Sequence, residues 1–193
     1  MLKISNSQIE EFVLELKNIS ASDLGWTAGI VDGEGCINVW KRSRKGRTCR
    51  HPGWQVRVTV GNNDPRIINR LSTVFARLHP YTCSREPSRR RARSYSWLVA
   101  ARAALIFLRV IQPYLISKAE QAALAIELQT RITNQVGLQA SSGIGHGRHL
   151  STAEILTRER LYDDMRELNC LGPRRQMRHD KYREVSKWQQ TSG

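Results

Sequence analysis

Acidic residues are scarce in this chain: 17 Asp and Glu stand against 31 Lys and Arg, for a formal net charge of +14 over 193 residues. That much positive charge opposes compaction by self-repulsion and calls for an anionic partner. Long apolar runs are also missing. No stretch approaches the ~18 apolar residues of a membrane span. The opening MLKISNSQIEEF has no signal-peptide core. An intracellular, non-secreted protein with no membrane partner is therefore expected. Cysteine is sparse and unpatterned. Cys36, Cys49, Cys83 and Cys170 form no CxxC pair and no zinc-finger spacing, so reduced thiols are expected. His146 and His149 lie three apart in a glycine-rich stretch with no cysteine pair beside them. A solvated loop is expected there rather than zinc. Internal repeats are absent too.

What is there is a globular composition, 40% hydrophobic and 25% charged, of the size of one domain. The excess charge is mostly arginine, which suits phosphate and guanine better than a point charge does. Nucleic acid is the leading partner, ahead of an anionic membrane surface or of charge that serves only solvation.

The hydrophobic pattern predicts a short helix over Ser5 to Lys17, with Ile9, Phe12, Val13 and Leu16 at helical spacing. A second helix follows to about Gly33, capped by Asp23. Cys36 to Arg42 alternates, Ile37 and Val39 against Asn38, Trp40 and Arg42. Trp54 to Val60 alternates likewise, Val56, Val58 and Val60 against Gln55, Arg57 and Thr59. Asn63-Asp64-Pro65 opens a helix through Leu78. A second strand pair is expected at Tyr81 to Arg85 and Ser94 to Val99, joined by a connector holding Arg89, Arg90, Arg91 and Arg93. Helices are expected over Ala101 to Ile111 and, past Pro113, over Leu115 to Ile132. Gly137 to Leu150 reads as a loop, and Ser151 opens a helix through Leu168 as an approximate capping box. The order is α+β: an αββαββα core with a four-stranded antiparallel saddle-like sheet backed by helices, plus C-terminal helices. Residues 1–170 form the domain, with a core at 22–137 and a C-terminal helical part at 150–170. A basic tail spans 171–193.

One stretch carries the chemistry. Leu24 to Cys36 reads LGWTAGIVDGEGC, an apolar helix ending in two carboxylates, Asp32 and Glu34, each beside glycine. Gly29 and Gly33 are four apart and share a helix face. A face built from glycines lets a second helix approach to backbone contact; the spacing is best known in membranes, but the steric argument holds in water. Thr27 to Gly35 resembles the LAGLIDADG signature of homing endonucleases. Gln112-Pro113-Tyr114-Leu115-Ile116-Ser117-Lys118 resembles that family's segment ending in an active-site lysine. Val60 to Arg66 resembles its strand-to-helix junction. The resemblance spans roughly Leu24 to Asn169, in the family's order, with one copy of the signature.

The resemblance implies a site-specific, metal-dependent double-strand DNA endonuclease of the kind encoded by mobile introns. Glu34 and the Gly33 carbonyl would be the metal ligands. The ion would be Mg²⁺, with Mn²⁺ or Ca²⁺ able to take its place, Ca²⁺ without cleavage. Glu34 stands where many members have aspartate, one methylene shorter. Lys118 would stabilise charge at the scissile phosphate or tune the attacking water. Asn62 and Arg66 would order water, although an ungapped match puts Val60 at the first of these positions. Single-motif members are homodimers, so a homodimer is expected, with Ala28, Gly29, Asp32 and Gly33 at its seam; Asp32 would cap or pack near the helix end rather than bind metal.

A two-stranded ribbon fits the major groove of double-stranded DNA. Asn38, Trp40, Arg42, Gln55, Arg57 and Thr59 are the outward positions, joined by Arg85 and Arg93. Gln55 and Asn38 suit adenine, and the arginines suit guanine. Lys41, Arg44, Lys45, Arg47 and Arg50 are expected to hold phosphates. Two other readings share the fold: a maturase that binds its host intron RNA, and a DNA-binding regulator that does not cut.

Overall fold

The structure, a computed structural model, describes residues 6–42, 52–88, 92–139 and 149–170. The expected phosphate holders Arg44, Lys45, Arg47 and Arg50 lie outside the described residues. So do Arg89, Arg90, Arg91, His146 and the tail 171–193.

Helix α1 (Asn6–Leu16) turns Ile9, Val13 and Leu16 into the core at helical spacing. Helix α2 (Ala21–Glu34) carries the signature. Its N-cap is Ser20, whose hydroxyl accepts the Asp23 N–H at 3.1 Å. Asp23, expected as the cap, stands instead in the first turn and pairs with Arg70 at 2.9 Å. A serine hydroxyl reaches the free N–H, and the carboxylate still favours the positive end of the helix.

Strand β1 (Gly35–Arg42) follows without a loop. β2 (Gly53–Asn62) returns antiparallel, with Gly35 opposite Val60 and Arg42 opposite Gly53. Asp64 caps α3 (Pro65–Val74), Pro65 sits in its first turn, and a 3-10 turn at Ala76–Leu78 ends the segment. β3 (Tyr81–Arg85) and β4 (Ser94–Ala100) make the second hairpin. The sheet order is β1-β2-β4-β3, so β2 and β4 lie in the middle.

Helix α4 (Arg102–Ile111) buries Ala104 to Leu108, Val110 and Ile111, the pattern of a central helix rather than a surface one. Its Phe107 meets Phe75, the C-cap of α3, and Trp97 with ring centroids 4.9 and 5.0 Å away, which ties the end of α3 to α4 and β4. A 3-10 turn at Gln112–Tyr114 contains Pro113, and α5 (Ala119–Thr133) begins only after Lys118. The sequence predicts that helix from Leu115. The residues before Ala119 are instead pulled out of helical geometry to hydrogen-bond Asp32 on α2.

The expected loop from Gly137 to Leu150 contains a short antiparallel pair, β5 (Leu138–Gln139) and β6 (His149–Leu150). Helix α6 (Thr152–Asn169) opens at Ser151, whose hydroxyl accepts the Glu154 N–H at 3.3 Å. The reciprocal half of the capping box does not form. Glu154 is 4% exposed, and its carboxylate is held by Arg131 at 2.6 Å and Arg158 at 2.8 Å. Asn169, at the far end of α6, donates to the Ile37 carbonyl of β1 at 2.9 Å. Lys41 also turns to this side and pairs with Glu159 at 2.6 Å. It was expected among the phosphate holders. Strand alternation instead puts it with Ile37 and Val39, facing the helices.

Trp54, Val56, Val58 and Val60 of β2 and Trp97 and Val99 of β4 are buried. α2, α3, α4 and α5 all pack on the sheet. The outward residues of β1 and β2 stay at least partly exposed on the opposite face. No described helix is long and apolar enough to cross a membrane.

Candidate active site and nucleic-acid interface

The end of α2 is set by a close backbone approach. The Gly35 N–H donates to the Val31 carbonyl. A Cβ on Gly35 would lie 2.6 Å from that oxygen and 2.8 Å from the Val31 Cα. Only glycine lets the strand leave the helix this abruptly. Glu34, the last helical residue, is therefore delivered into the helix–strand junction with its side chain exposed. It lines an open depression with Gly61 and Asn62 at the end of β2, Asn63 just past it, and Ser94, Tyr95 and Ser96 of β4. Among the described residues no cluster of three or more His, Cys, Asp or Glu gathers anywhere. One exposed carboxylate beside open space offers a single hard oxygen ligand, which suits a divalent cation that completes its shell with water and phosphate. It does not match an all-protein cage.

Asp32 and Lys118 form a reciprocal clamp. The Asp32 carboxylate accepts the Ile116 N–H at 2.8 Å and the Lys118 N–H at 3.0 Å. In return, the Lys118 ammonium donates to the Val31 carbonyl at 2.9 Å and to the Asp32 carbonyl. Burial pushes the Asp32 carboxyl up, but the N–H groups of Ile116 and Lys118, with Ser117, outweigh it and hold the group below its ordinary value. The lysine sits on the last carbonyls of α2, where the helix dipole favours a cation. A fixed positive charge thus stands at the end of the helix that carries Glu34. Lys118 is the N-cap residue of α5, not a residue on a helix surface.

The glycines of α2 divide into two kinds. A Cβ added at Gly25, Gly29 or Gly33 would meet nothing within 4 Å. These three form one open ridge along the helix. Ala28 points the other way and is 0% exposed, in the core with Leu24, Thr27 and Val31. The expectation that Ala28 lines a subunit seam is corrected: its own chain encloses it. Asp32 is half-buried, and its carboxylate accepts N–H groups of its own chain. Ile116, beside the end of the ridge, is 90% exposed.

On the outer sheet face the Arg57 guanidinium lies over the Trp40 ring at 4.5 Å, and Arg42 lies 5.9 Å from the same ring. Asn38 stands opposite Arg57, and Gln55 opposite Trp40. The four strands of this sheet contain no Asp or Glu.

No protein-family profile and no curated protein matches the sequence. Solved structures do. The homing endonuclease I-CvuI in complex with its target, in the presence of Ca, is 19% identical, with 83% of this chain and 87% of that chain covered and a TM-score of 0.56. An archaeal intron-encoded homing endonuclease complexed with DNA is 13% identical, covering 78% of this chain and 86% of that one at a TM-score of 0.58. The group I intron-encoded homing endonuclease I-CeuI, also complexed with DNA, is 12% identical, covering 82% and 77% at 0.57. The chain has the LAGLIDADG homing endonuclease fold.

Within the LAGLIDADG fold the predicted site residues are only partly gathered. Glu34 and Asn62 share the depression. The Asn62 side chain also accepts the Asp64 N–H at 2.8 Å, which shapes the strand-to-helix junction. Arg66 does not line the depression; Asp64 holds its guanidinium at 2.6 Å. Arg93 is paired with Glu86 at 2.6 Å, and Arg85 is exposed at the end of edge strand β3. Ser94, Tyr95 and Ser96 were missed. Their signal lies in the pairing of Asn62 with Tyr95 and of Gly61 with Ser96, which follows once β2 is placed beside β4. Gly25 was missed as well, although it extends the Gly29 and Gly33 spacing by one turn.

Proposed function

We propose that this protein is a site-specific DNA endonuclease that binds a divalent metal ion, acts as a homodimer and cuts both strands of a long pseudo-palindromic site. The observation that carries the reading is the placement of Glu34. An exposed carboxylate ends the signature helix, two residues beyond a carbonyl held by Lys118, at the margin of a sheet whose strands carry arginine and no acid. The DNA complexes of I-CvuI and I-CeuI support double-stranded DNA as the partner.

Glu34 and the Gly33 carbonyl are the proposed ligands of a Mg²⁺ ion. A bound ion would neutralise charge at the scissile phosphate and acidify an attacking water. Lys118 adds positive charge beside that phosphate, in a position its two carbonyl partners already fix. Asn62, Ser94 and Ser96 offer hydroxyl and amide groups that orient water in the depression. The homodimer is supported by the open ridge of Gly25, Gly29 and Gly33 and by exposed Ile116 next to it. Apposing two ridges would bring two copies of Glu34 together, one for each strand.

The test is incubation with Mg²⁺ and a library of long, partly randomised palindromic duplexes, followed by sequencing of the cut ends. Cleavage at one long site is expected, abolished in Glu34→Gln while binding persists. No cleavage of any member, together with tight binding to a structured intron RNA, would instead establish the maturase reading. A sizing run that gives a monomer at micromolar concentration would remove the homodimer separately.

A further inference from the structure

We infer that Arg57 is a preorganised reader of a single guanine in the major groove of the target, with Trp40 and Gln55 as its positioning residues. The inference rests on the DNA endonuclease reading and adds a base identity to one position of the sheet face. The Arg57 Nε donates to the Gln55 side-chain oxygen at 3.0 Å, and the guanidinium carbon lies 4.5 Å above the Trp40 ring. Trp40 pairs with Gln55 across the hairpin and Asn38 pairs with Arg57, so the indole is the diagonal neighbour of the guanidinium. Hydrogen bond and stacking together fix both the tilt and the direction of the fork.

The consequence is chemical. With Nε occupied, the two terminal nitrogens remain, and among the described residues neither has a hydrogen-bond partner. Two parallel N–H donors match guanine O6 and N7, the bidentate pair that distinguishes guanine from the other bases. Location favours a base over a phosphate. β2 is a middle strand, with Arg57 flanked by Asn38 of β1 and Ala100 of β4, so the fork rises from the centre of the face. Backbone phosphates are met by the margins of a ribbon seated in the groove. Gln55 also changes role. Its oxygen is the acceptor a bidentate adenine contact requires, and Arg57 uses it. Gln55 therefore orients an arginine rather than reading adenine.

The experiment is binding selection from randomised duplex DNA with the full chain and with metal chelated, so that sequence preference is read without cleavage. The wild type should select guanine at one position of each half-site, by roughly 5- to 150-fold over other bases. Arg57→Ala should erase that preference while the other positions keep theirs. Trp40→Ala and Gln55→Ala should each reduce the guanine preference several-fold at the same position, and Trp40→Phe should restore most of it. Thermal melting of each variant separates these effects from unfolding. Arg57→Ala that weakens binding to all sequences equally makes Arg57 a phosphate contact and overturns the proposal. So does a lost adenine preference in Gln55→Ala with guanine intact. A wild type that selects no defined site overturns the endonuclease reading itself, and the guanine assignment falls with it; the two failures are thus distinguishable.

Discussion

Gly35 and Gly29 are the same residue under opposite constraints. A methyl group on Gly35 would overlap the Val31 carbonyl, whereas one on Gly29 would enter open space. Gly35→Ala should therefore destabilise the protein by about 1–3 kcal/mol, through forced movement of the helix end. Because that end carries Glu34, cleavage should fall further than stability alone explains; urea melts and single-turnover rates on one preparation check both. Asp32 makes a different residue-level prediction. Its folded-state pKa is lowered from 3.8, so its contribution to stability is complete above that value and is lost as pH falls through the lower folded one. Asp32→Asn should be less stable at neutral pH and should show a shallower loss of stability on acidification below 3.8. An acid limb identical to wild type in equilibrium denaturation would show that the clamp carries no such linkage. Glu34 was legible in the sequence because it ends a helical pattern and sits between two glycines. The clamp was not, because Asp32 and Lys118 are 86 residues apart and their partners are backbone groups that any residue could supply.

Helix α2 presents two faces with different duties. Leu24, Thr27, Ala28 and Val31 pack into the core, and the glycine ridge lies open. Replacing Gly29 by alanine adds no clash within the chain and raises helix propensity by about 0.8–1 kcal/mol. Such a variant should be more stable as a monomer yet associate more weakly; melting curves and sedimentation across a concentration series test the two halves of that statement. A variant that gains stability with unchanged association would detach the ridge from dimerisation. Helix α6 depends on a buried charge group. Glu154 receives Arg131 and Arg158 in a place nearly closed to water. Glu154→Gln leaves the buried Arg158 guanidinium without a counter-charge and Arg131 with only Glu127 at 3.9 Å, and should cost about 3–5 kcal/mol, read by thermal or chemical denaturation. The strands and α4 were legible as elements, since period-two valines and an all-round apolar helix leave few alternatives. The start of α5 was not. Leu115 to Lys118 fits a helix locally, and hydrogen bonds to Asp32 on α2 override that preference.

For the whole molecule, the net charge of +14 leads to a prediction about salt. If the basic face makes roughly six to ten phosphate contacts, affinity should drop by about three to five decades between about 50 and 200 mM salt. Binding isotherms over that range give the slope directly, and a flat profile would contradict a phosphate-dominated interface. Composition alone already established the strong excess of positive charge and the absence of a membrane-length apolar run. Periodicity dictated the αββαββα order and which side of β1 and β2 is apolar, because both depend on spacing within a few residues. Tertiary structure decided the rest. It placed β2 beside β4, so that Asn62 came to face Tyr95 next to Glu34. It seated Arg57 on Trp40, turned Ala28 inward and Gly25 outward, and drew Lys118 onto the end of α2. Each of these joins groups far apart in the chain, and such pairings follow only from the packing of the elements against one another.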